Sequence, residues 1–208
     1  TALRAAHPLA RLHALWTLEG QGQLDQATVL GALADPDARV CAAAIRLTEA
    51  WLAPAEGAAL LPRLAALLDR PERNVRQQLA LSLGASPDAA ALDLLRDLVL
   101  RAGDQPFLAD AVVSGLAGRE NAFFYRIAAA PEAKAETCAA VLRYVTSALL
   151  KSGRQTDADE LFAYANLTSH PAWARAAVLE GAVRFLPKTP AGEWRVGRLP
   201  AETRALLA

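Results

Sequence analysis

Residue types able to do acid–base, nucleophilic or metal chemistry are sparse in this chain. There are three histidines, His7, His13 and His170. His7 and His13 are six apart, which places them on different sides of a helix, and His170 is far along the sequence. No metal site is expected from them. His7-Pro8 and His170-Pro171 each open a helical segment ending in Leu-Glu-Gly, so a capping or repeat role explains them better. Cys41 and Cys138 lie in apolar helical contexts and form no C-x-x-C, so they are expected to be buried, inert thiols. Asp157, Asp159 and Glu160 form an acidic cluster that general acid–base work would require. They stand at a predicted helix start, where carboxylates favour the helix dipole, and are expected to serve there. No Ser-His-Asp set, G-x-S-x-G elbow, P-loop or G-x-G-x-x-G is present. The expectation is no catalytic, cofactor-binding or metal-ligating residue in this segment.

Composition says what kind of scaffold carries these residues. The 208 residues balance 22 Lys+Arg against 22 Asp+Glu, which leaves no electrostatic footprint for sequence-independent DNA or RNA binding. Apolar residues reach 53% while aromatics are only 6%, so Ala, Leu and Val fill the core, the profile of closely packed helices. No apolar run approaches the roughly 18–20 residues a membrane span needs. The chain starts at Thr1, has no Met and no signal-like segment, and is expected to be a piece of a longer polypeptide.

The prolines reveal a repeat. Pro36, Pro71 and Pro106 are separated by 35 residues, twice, and each precedes an apolar helical stripe. Proline suits a helix start because its missing N–H would be unpaired there. Apolar spacings of i, i+3, i+4 and i+7 predict helices over 9–19, 24–34, 39–52, 58–68, 74–83, 89–101, 107–117, 122–130, 133–150, 157–167 and 172–185. Breaks are expected at Gly20–Gly22, Ala53-Pro54, Gly84–Pro87, Gly103, Gly118, Pro131 and Gly153. Asp25, Asp88 and Thr156 or Asp157 are expected N-caps. A helical hairpin of about 35 residues cannot bury its stripe alone, so hairpins must stack. The expected fold is all-α: an α-solenoid, a right-handed superhelix of about five hairpins over residues 1–186. Residues 187–208 are expected to form an extended linker or docking tail with Trp194 and a short helix over Ala201–Leu207.

Helix, Asp-Pro turn, then Val-Arg opening a second helix resembles the HEAT family, including the HEAT-like units named after phycobilisome lyases. Arg76 keeps the basic residue, whereas Cys41 follows Val40. The runs His7-Pro8-Leu9-Ala10-Arg11-Leu12-His13-Ala14-Leu15-Trp16-Thr17-Leu18-Glu19-Gly20 and Ala111–Glu120 are more specific. They resemble the helical middle section of large bacterial haem-binding, sorbosone- or glucose-dehydrogenase-like proteins. In that family a β-propeller precedes the HEAT array and a cytochrome c domain follows it. The resemblance implies a periplasmic parent, haem c only in a separate domain, and a segment that connects or orients redox domains.

The expected function is thus a non-catalytic scaffold whose partners are neighbouring domains or another protein. A free-standing interaction module is the alternative, and a HEAT-like DNA-glycosylase type of enzyme is third. Expected contacts on a concave groove lined by second helices are Arg39, Arg46, Arg73, Arg76, Gln77 and Arg143. Trp16, Trp51 and Trp173 are expected to be core or groove lining.

Overall fold

The 35-residue spacing of the prolines reappears as the spacing of helix starts. In the computed structural model, which describes residues 2–52 and 54–185, helices begin at Ala38, Arg73 and Leu108, each two residues after a repeat proline. The prolines are therefore not inside the first turn, as expected above. They precede the cap residues Asp37, Glu72 and Phe107. The Asp37 N–H shows why: it donates to the Asp35 carboxylate at 2.9 Å, which a proline there would forbid. Pro8 does occupy the first helical position of its helix.

All regular structure among the described residues is helical. The helices are α1 (Pro8–Gly20), α2 (Gln26–Ala32), α3 (Ala38–Thr48), α4 (Pro54–Ala65), α5 (Arg73–Ala85), α6 (Ala89–Ala102), α7 (Leu108–Leu116), α8 (Glu120–Ala128), α9 (Ala135–Lys151), α10 (Gln155–Asn166) and α11 (Ala172–Phe185). Each falls on a segment the apolar period predicts. None is long and apolar enough to cross a membrane. The expected linker with Trp194 and the helix at Ala201–Leu207 lie outside the described residues.

Local chemistry sets the ends. The Asp25 carboxylate accepts from Thr28 N–H at 2.7 Å and caps α2, and Asp88 accepts from Ala90 N–H at 2.9 Å at the start of α6. Gly22, Gly118 and Gly153 turn the chain at φ of 65°, 87° and 74°, which only glycine adopts without strain. Two expectations are corrected. Gly84 ends no helix, since α5 runs on to Ala85. Neither Thr156 nor Asp157 caps α10, which is entered through Arg154; Asp157 lies within the first turn.

The chain divides into two compact units, Thr1–Leu98 and Val99–Ala208. In the first, α3 packs against α1, α2 and α5 around Leu15, Val40, Ile45, Val75, Leu79 and Leu83. The turns at Asp35-Pro36 and Arg70-Pro71 are tied together by charge. Arg11 forks onto Asp35 at 2.7 and 2.8 Å and also donates to the carbonyls of Ala5 and Ala6. Arg70, one repeat further on, donates to the Asp35 carbonyl at 3.3 Å and grips Glu72 at 2.9 Å. The turns at Pro36 and Pro71 are therefore in direct contact.

In the second unit α9 is the hub, contacting α7, α8, α10 and α11 around Phe123, Phe124, Val141, Leu142, Val145 and Val178. Helix α11 approaches α9 at a glycine. A Cβ on Gly181 would stand 2.5 Å from the Arg143 carbonyl oxygen, and Ser147 Oγ donates to the Gly181 carbonyl at 2.8 Å. Gly103 follows the end of α6 at Ala102, the break expected there, and a Cβ on it would overlap the Thr137 carbonyl. Cys41 and Cys138 are buried free thiols, and burial pushes the Cys41 pKa up.

Candidate functional site

Helices α1 and α5 flank α3 in the first unit. Arg39 and Arg46, seven apart, share one side of α3, and Arg73, Arg76 and Gln77 share one side of α5. The structure thus brings five of the six predicted groove residues onto two packed helices. Arg143 lies on α9 in the second unit.

The arginines are less free than their sequence positions imply. Arg39 pairs with Asp37 at 2.8 Å, which holds the Asp37 carboxyl below the ordinary carboxylate range. Arg46 pairs with Glu49, whose other oxygen accepts from Ser82 Oγ at 2.7 Å, and Gln78 donates to that hydroxyl at 3.1 Å. This chain couples α3 to α5. Arg143 pairs with Glu180 of α11 at 2.8 Å. Arg73 is exposed, Gln77 and Arg76 are half-buried, and the Arg76 Nε is buried with no hydrogen-bond partner.

Beside Arg46 opens a pocket of about 360 Å³. Trp16 from α1, Leu24 from the following loop, Leu47 from α3, and Ala50 and Trp51 from the 3-10 turn Glu49–Trp51 after it form its walls, with Arg46 and Glu19 among its lining residues. Trp16 is 42% exposed, a large aromatic surface left open to solvent. Of the expected α1 stripe, Leu15 is fully buried while Leu9 is 39% exposed. Helix α1 packs on α3 and on the 3-10 turn Ala2–Arg4. A second cavity of about 290 Å³ is lined by Leu3, Leu15, Thr28 and Val40, with Arg11 and Asp35 in its wall. Arg11 and Asp35 in that wall are paired with one another.

The chain matches no family model, no curated protein and no solved structure.

The other expected chemistry is dispersed. His7 Nδ1 accepts from Leu9 N–H at 3.3 Å, a cap as predicted. His170 stacks on the Tyr164 ring at 4.0 Å and 14°. Among the described residues no group of three or more His, Cys, Asp or Glu is placed to hold a metal. The three acids of α10 are each engaged separately. Asp157 accepts from Ser152 and Arg154, Asp159 from Gln155, and Glu160 from Asn121 at 2.8 Å and Tyr125 at 3.3 Å. Glu160 thereby ties α10 to α8. The pocket itself went unpredicted, although Trp16 and Trp51 are 35 residues apart, on the repeat period.

Proposed function

We propose that this segment is a non-catalytic scaffold, a HEAT-like repeat array whose α1–α3–α5 face docks a neighbouring domain. The observation that carries it is the Trp16–Trp51 pocket: two aromatic walls, one half-open to solvent, beside an arginine held in place by Glu49. Aromatic and Arg side chains are the groups that dominate protein–protein contacts. The repeat spacing of helix starts and the turn-to-turn contacts through Arg11, Asp35 and Arg70 support stacked hairpins. We place the segment, on its resemblance, between a dehydrogenase-like propeller and a cytochrome c domain in a periplasmic protein, with haem carried by the latter.

A nucleic-acid enzyme is disfavoured because Arg39, Arg46 and Arg143 are each offset by a carboxylate. The test uses the protein made from its full reading frame. Trp16→Ala and Arg46→Glu should speed amide exchange around Ala50 and in a contacting segment of another domain, leaving α9 unchanged. Exchange altered only within this segment would overturn the scaffold reading. A C-x-x-C-H with haem absorbance elsewhere in that frame would support the redox parent, and its lack would refute it.

A further inference from the structure

The residue after each repeat proline has two forms in this chain. Asp37 and Glu72 take extended backbone, at φ −79° and −71°, and bind Arg39 and Arg70. At the equivalent position before α7 stands Phe107, with φ +66°. A side chain in that left-handed region is strained by its own Cβ. Phenylalanine also offers α7 no acceptor, so the helix starts without a side-chain cap. Its ring is 68% exposed. Two residues earlier, the Gln105 amide oxygen is buried without a hydrogen-bond partner. Folding does not require the left-handed backbone, since the turns at Asp37 and Glu72 avoid it, although Glu72 likewise makes no side-chain cap bond. Local rules broken together around one solvent-facing aromatic ring mark a contact site.

Charge decides what the ring contacts. Asp104 and Asp110 flank it and are exposed, while Arg101 has an interaction of its own. Carboxylates beside the ring oppose a phosphate backbone, so base stacking is disfavoured, and they equally oppose an anionic lipid surface. They favour a protein surface with cations. We infer that Phe107 is an anchor for a protein partner that presents an apolar socket edged by Lys or Arg. The anchor stands on the second unit and does not depend on the Trp16 pocket.

The test is photo-crosslinking in the full chain with benzoylphenylalanine in place of Phe107, in its native cell. The expected capture maps to a segment of another protein or domain with Lys or Arg beside apolar residues. Excess unlabelled wild-type chain should suppress it, and Asp104→Lys/Asp110→Lys chain should suppress it at least about 10-fold less well. Phe107→Asn is the decisive competitor, because Asn tolerates the left-handed region. It should lose suppression by a similar factor while its Tm stays at or above that of wild type, by up to about 4 °C. Suppression by Phe107→Asn equal to wild type overturns the proposal. So does a lowered Tm, which would make the ring a packing residue, or comparable binding of the wild-type chain to phosphatidylglycerol vesicles or oligo-dT.

Discussion

The two units of this molecule reach the same all-helical structure by different means. In Thr1–Leu98, side chains cap three helices, His7 on α1, Asp25 on α2 and Asp37 on α3, while Glu72 at the start of α5 makes no such bond. In Val99–Ala208, helices α7 to α10 are entered through Phe107, Arg119, Lys134 and Arg154, none of which makes a side-chain cap bond. Three of those four are basic, the wrong sign for the positive end of a helix. The second unit relies on packing. Phe123 and Phe124 are almost fully buried, Phe124 meets Tyr164 edge-to-face at 5.2 Å, and α11 closes on α9 through Gly181. Short-range signals position the first unit and long-range fit positions the second.

That contrast is tested most strongly in the two cores. Leu79→Ala on α5 and Leu142→Ala on α9 each remove a fully buried side chain and should cost about 2–5 kcal/mol. The α9 variant should lie higher in that range, because four helices meet α9 and relax less into the cavity. Urea unfolding gives both values. A loss below about 1 kcal/mol for Leu79→Ala would show the α3–α5 packing to be wrong.

Next in size are the glycines. Gly103→Ala and Gly181→Ala should each lose about 1–3 kcal/mol, the former more, since its Cβ would come closer to an α9 carbonyl oxygen, that of Thr137, than the Gly181 Cβ would to that of Arg143. Gly31→Ala on α2, where a Cβ meets nothing, should instead gain about 0.5–1 kcal/mol. Equal effects at Gly31 and Gly181 would erase the distinction between the units.

Sequence reasoning was sound where the first unit's logic applied. Period alone located every described helix, because an apolar stripe at 3.6 residues is needed wherever a helix meets a core. His7, Asp25 and Asp88 were legible as caps because capping is decided within three residues. The roles of Gly103 and Gly181 were not, since they depend on which carbonyl arrives from another helix. Nor were the contacts between helices: Arg143 meets Glu180 across 37 residues and Ser82 meets Glu49 across 33, whereas Arg39 and Arg46 are paired with carboxylates two and three residues away. Of the acids expected to serve the start of α10, Asp157 and Asp159 have local partners, and only Glu160 has partners the sequence could not show, on α8.

The ionic turns make the first unit acid-sensitive. Arg11 holds Asp35 below the ordinary carboxylate range, Arg70 does the same to Glu72, and the Thr28 N–H lowers Asp25. A carboxylate with a depressed folded pKa contributes stability that is fully present above its unfolded pKa, about 4, and lost as pH falls through the folded value. Asp35→Asn should therefore be less stable than wild type at pH 7, with the gap closing below about pH 4. Urea unfolding across that window checks it. A gap constant with pH would mean the Asp35 carboxylate is valued for shape, not charge.

The smallest expected effect asks whether a missing local signal can be supplied to the second unit. Lys134 enters α9 with φ −123° and ψ 152°, already the extended backbone of a capping residue, and its side chain is exposed. Serine at this position can accept from one of the first free N–H groups of the helix, and it removes a positive charge from the positive end. Lys134→Ser should therefore stabilise by about 0.5–1 kcal/mol, read as a higher urea midpoint with unchanged slope. The size follows from the cap alone, because Lys134 gives up little packing. If α9 is already fixed by the four helices around it, the gain is still expected. Orphan N–H groups exchange a water partner for a side chain whose position the fold has set, so the entropy of ordering the backbone has been met elsewhere. A neutral or lower midpoint would show that these uncapped starts are satisfied by something other than a side chain, and that the two units differ less than their caps suggest.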